Sequence, residues 1–74
     1  MYNNMPDYIE KNTEVQSFVF AKKSIMTADF LTFVESMAYS VIERDLDETL
    51  VYPFVIHNCT KAEFKLLISL YKGI

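Results

Sequence analysis

His57 and Cys59 are the residues of this chain best equipped for chemistry, and a single residue, Asn58, separates them. An imidazole close to neutral pKa can take a thiol proton and leave a nucleophilic thiolate, provided that the two side chains come within hydrogen-bond reach. In a strand that continues through both positions they would point to the same side. The same spacing also occurs in inert strands, however, and the chain has one histidine and one cysteine in all. Structural zinc takes four ligands, more than this pair offers. We read His57 as a strand-end residue and Cys59 as a free, buried or half-buried thiol, and assign no catalytic, cofactor-binding or metal-ligating residue.

Carboxylates are the next candidates. Asp45, Asp47 and Glu48 surround Leu46, but the run lacks the glycine and the regular oxygen spacing of a calcium-binding hand. Asp29 and Glu43 fall on the polar side of a long predicted helix, where they would lie about 21 Å apart, too far to flank one bond. The one glycine, Gly73, is penultimate, so no glycine-rich turn is available to cradle a phosphate. By exclusion, the expectation is a protein that is not an enzyme.

Charge narrows the partner. Seven Lys and Arg stand against ten Asp and Glu, a formal net charge of -3. The cations are scattered as Lys11, Lys22, Lys23, Arg44, Lys61, Lys65 and Lys72, with no basic stripe to displace counterions from phosphate, so direct nucleic-acid binding is not expected. A nucleic-acid mimic, with carboxylates in the place of phosphates, is a lesser reading, because the cations dilute its field. No apolar run reaches the ~20 residues of a membrane span. Residues 1–11 lack the basic start and apolar centre of a signal peptide, and the lone cysteine offers no intrachain disulfide. A cytoplasmic location is therefore expected, with the Asn58-Cys59-Thr60 glycosylation pattern unused.

These residues must be positioned by a single small domain spanning residues 1–74, with residues 1–7 read as a flexible start. At 74 residues, 51% of them hydrophobic and including six Phe and five Tyr, the chain has enough apolar material for one modest core. Apolar residues recur at helical period from Phe30 to Ile42, with Thr27 as N-cap and Arg44 at the far end, which predicts a central helix over residues 28–44. Val15–Ala21 alternates with period two, Phe18 and Phe20 on one face and Val15, Ser17, Val19 and Ala21 on the other. Its aromatic and β-branched content favours a strand, against a competing helical spacing. Tyr8-Ile9 is a further short strand candidate.

Leu50–His57 is the second dependable strand, with Pro53 placing it at an edge, or lying near its start or at a bulge. Thr60-Lys61-Ala62-Glu63 forms a capping box and opens a helix over residues 61–72, which Gly73 would end in a left-handed conformation. The expected fold is α+β, a small single-layer sheet of two or three strands packed against two helices. If the two dependable strands are neighbours joined by the central helix, they should run parallel.

With catalytic constellations excluded, surface remains. Tyr39 falls in the middle of the polar helix face and Tyr52 beside Pro53, and tyrosine suits interfaces because it buries a rigid ring while its hydroxyl tolerates water. Glu35, Glu43, Asp45, Asp47 and Glu48 would form an acidic face able to steer a basic partner. These seven residues are the candidate protein interface. The expected function is a small protein-binding module, an inhibitor or adaptor, with a self-associating subunit of a larger assembly as the alternative.

Overall fold

The computed structural model describes residues 5–44 and 50–73. Its elements are β1 (Tyr8–Asn12), β2 (Ser17–Ala21), α1 (Ala28–Ser36), β3 (Val41–Glu43), β4 (Phe54–His57) and α2 (Lys61–Lys72). The strands form one sheet in the order β1-β2-β4-β3, every neighbouring pair antiparallel. Two helices pack against this open sheet, as the α+β pattern predicts, and the sheet has four strands rather than two or three.

The additional strand comes from the segment read as the second half of the central helix. Thr27 does cap α1, its hydroxyl accepting from the Phe30 amide at 3.3 Å, but the helix stops at Ser36. Ser36 Oγ donates to the Phe33 carbonyl at 2.6 Å, and Ala38 takes a left-handed conformation at φ 71°. A non-glycine residue there costs about 1–2 kcal/mol. What offsets that cost is tertiary: Val41-Ile42-Glu43 pairs with Ile56-Val55-Phe54, giving β4 a second neighbour. β4 is thereby an internal strand, and Pro53 lies just before its start, where its carbonyl accepts from the Arg44 amide at 2.8 Å. β2 and β4 are neighbours, but antiparallel and not parallel, because β3 reverses the chain once more between them.

β1 and β2 make a hairpin whose turn is set by Thr13. Its amide donates to Gln16 O at 2.8 Å, and its hydroxyl accepts from the Gln16 amide at 3.1 Å, so Val15 belongs to the turn and not to the strand. Residues 5–7 are tied down: Lys22 donates its amide to Asp7 O and its Nζ to Met5 O, both at 2.9 Å. The capping box forms as expected, with Thr60 Oγ1 accepting from Glu63 N at 3.1 Å and Glu63 Oε1 accepting from Thr60 N at 2.9 Å. Gly73, expected to be left-handed, continues in right-handed geometry at φ -82°.

Strand parity assigns the two sheet faces. Val19, Ala21, Phe54 and Ile56 face the helices and bury against Phe30 and Val34 of α1 and Phe64 and Leu67 of α2. Phe64 anchors this core, with ring contacts to Tyr8 at 4.8 Å and Phe30 at 5.7 Å. The opposite face carries Ile9 and Lys11 of β1, Phe18 and Phe20 of β2, Val55 and His57 of β4, and Ile42 of β3.

Candidate functional site

The residues first suited to chemistry do not meet. β4 ends at His57, and Asn58 turns the chain through a left-handed conformation at φ 54°. Cys59 consequently drops into the core while the His57 ring stays on the bare face, edge-on to Phe18 at 5.2 Å. The thiol donates to the Thr60 carbonyl at 3.4 Å. Burial pushes its pKa up to about 12, with the negative charges of Glu63 and Glu10 acting in the same direction, so near neutral pH it is a protonated core residue. No three metal-ligating side chains gather among the described residues.

The proposed interface tyrosines are both engaged. Tyr52 is only 7% exposed, and its hydroxyl donates to the Pro6 carbonyl at 2.7 Å. It ties the N-terminal segment to the residue before β4, and its ring is buried and not open to solvent. Tyr39 is half-buried after the helix, not on it, and donates to Glu63 Oε2 at 3.0 Å. Desolvation raises its pKa, and the Glu63 hydrogen bond adds to the shift. The two precede neighbouring antiparallel strands and so lie at opposite ends of the sheet. Glu35 is exposed on α1 and Glu43 is exposed on the helix side of β3; Asp45, Asp47 and Glu48 lie outside the described residues.

Two features were not anticipated. One is a cleft of about 300 Å³ between the N-terminal segment, the residues entering α1, and α2. Its walls include Tyr8, Ile25, Phe30, Ile68 and Tyr71, with Asp7, Thr27 and Lys72 as polar members. Its ring and aliphatic walls suit apolar matter, with Asp7 and Lys72 as its charged members among the described residues.

The other is the bare sheet face. Ile9, Phe20, Val55 and Ile42 stand opposite one another in register, making an apolar row across all four strands. At its ends Ile9 is half-buried and Ile42 is 51% exposed, whereas Val55 in the middle is 8% exposed. Cations flank the row. Lys11 Nζ lies 5.1 Å from the centre of the Phe20 ring, and the Arg44 guanidinium reaches across β4 to within 4.8 Å of it. Arg44 is held in place by a bond from Nη2 to Tyr52 O at 3.1 Å. The strand acids Glu10 and Glu43 lie on the helix side, so parity separates the charges that the sequence intermixes. The alternation of Phe18 and Phe20 with Val19 and Ala21 was the readable part of this surface; the meeting of Lys11 and Arg44 at one ring depends on the strand order.

No helix among the described residues is long and apolar enough to cross a membrane. Comparison with protein-family models, with curated proteins and with solved structures gives no match.

Proposed function

We propose that this chain is a small protein-binding module, an inhibitor or adaptor without turnover of its own, whose contact surface is the bare face of the sheet. The observation that carries the reading is the in-register row Ile9–Phe20–Val55–Ile42, apolar from edge to edge on a face that neither helix covers. Ile42 is half exposed and Ile9 and Phe20 are partly so, and exposed apolar surface rimmed by polar groups is a mark of interaction sites. An aromatic-and-acidic surface built on Tyr39, Tyr52, Glu35 and Glu43 is less favoured, because both phenols already serve intramolecular bonds.

Self-association is the second reading, and β3 favours it. Among the described residues this strand has β4 as its one neighbour in the sheet, and its Ile42 is half exposed, so a second copy could extend the sheet there. Sedimentation over a range of concentrations, followed by recovery of partners from native extract, tests both. The binding-module reading expects a stoichiometric partner retained by the parent protein and by Leu66→Lys on α2, and lost with folded Ile42→Lys. Loss of the partner with Leu66→Lys and retention with Ile42→Lys would move the contact to the helices. Turnover abolished by Cys59→Ala or His57→Ala, with folding unchanged, would overturn the non-catalytic assignment.

A further inference from the structure

The bare face is selective in charge as well as apolar, and this identifies the kind of segment it fits. Every strand residue on this side is apolar, aromatic or a nitrogen base: Ile9, Lys11, Phe18, Phe20, Ile42, Val55 and His57. Lys11 from one edge strand and Arg44 from the end of the other converge on the Phe20 ring. A cation over a ring face is held by the quadrupole, while the ring edge, positive itself, is left for an acceptor. The arrangement offers two pre-positioned cations and a positive ring edge between the aliphatic ends Ile9 and Ile42.

We infer that the bare face takes an extended acidic segment of another protein, with carboxylates meeting Lys11 and Arg44 and aliphatic side chains lying on the Ile9–Ile42 row; the inference rests on the binding-module reading above. A single-stranded nucleic acid fits less well. Base stacking needs free ring faces, and at Phe20 both Lys11 and Arg44 already lie over the ring. The aliphatic ends of the row would also find no match on a sugar-phosphate backbone.

The test is an amide chemical-shift titration of the full chain, isotopically labelled, with three probes: a short peptide of glutamate, leucine and serine, the same peptide with lysine for every glutamate, and oligothymidylate. The acidic peptide is expected to shift the amides of Ile9, Lys11, Phe20, Ile42 and His57, and to bind more weakly as salt is raised. Lys11→Gln, a change at an exposed hairpin position, should weaken it by about threefold to tenfold, and Lys11→Gln with Arg44→Gln by more. Equal or stronger binding of the lysine peptide at the same amides would overturn the acidic preference and leave the binding face standing. Tighter binding of oligothymidylate there would replace the partner class. No shift on this face with either peptide at millimolar concentration would overturn the inference, while the reading beneath it falls separately, on a partner retained by Ile42→Lys and lost with Leu66→Lys.

Discussion

The two faces of β2 and β4 are built on opposite principles. Toward the helices β2 presents the small side chains Val19 and Ala21, both fully buried, because large rings descend from the other layer: Phe30 from α1 and Phe64 from α2. Toward the bare side the same strand presents Phe18 and Phe20, whose rings meet only His57, Lys11 and Arg44 among the contacts described. Residue size therefore does not reveal which side of this strand is the core. The covered face is stabilised by ring-to-strand packing, and the bare face by cation and ring contacts at Phe18 and Phe20 that leave Ile42 half exposed at its edge while Val55 is buried in its middle.

Substitutions can break or sharpen that contrast. The largest effect is expected on the covered side from Val34→Asp, which places an unpaired charge in the fully buried centre of α1. It should destabilise by about 4 kcal/mol or more, whereas Glu35→Ala on the exposed flank should change stability by about 0.5 kcal/mol at most. Urea midpoints compare the two directly, and equal shifts would show that the faces of α1 are misassigned.

Next comes a pair within the sheet. Ile56→Ala opens a cavity under the helices and should cost about 3 kcal/mol, while Ile42→Ala on the bare face should cost about 0.5 kcal/mol, with the fold intact. A similar loss at both positions would mean that the bare face is a second core.

A smaller effect belongs to Cys59. Its folded pKa, about 12, lies above the ~8.5 of an unfolded thiol, so the folded chain keeps a proton that the unfolded chain releases. The stability contributed is fully present below about pH 8.5 and is lost as pH rises toward 12. Cys59→Ala should flatten that alkaline decline in urea midpoint, and thiol reagents at pH 8 should label the parent protein only in denaturant. Rapid labelling of the native chain would place the thiol outside the core.

What was legible in the sequence follows the range of the interaction that decides each element. The start of α2 was readable because Thr60 and Glu63 satisfy each other within one turn. The strand at β2 was readable from its alternation. α1 was overextended because Val41 and Ile42 fit a helical stripe as well as a strand, and what decides between them is the pairing of Val41 with Ile56 and of Ile42 with Val55, in a strand that the chain reaches only later. No glycine marks the break at Ala38, which accepts the left-handed turn without local encouragement. The surroundings of Tyr52 were hidden for a similar reason. Tyr52 reads as a surface tyrosine until Pro6, from the other end of the chain, supplies its hydrogen-bond acceptor. Lys11 and Arg44, distant in sequence, share a ring only because β1 and β3 form the two edges of one sheet.

Exposure of the methyl and ring protons to a soluble paramagnetic chelate, measured on the dilute protein, tests the central claim most directly: that one sheet face is core and the other is open for binding. Strong broadening is expected at Ile42 and partial broadening at Ile9, Phe18 and Phe20, with Val19, Ile56 and Phe64 unaffected. Equal protection of Ile42 and Ile56 at every dilution would contradict it.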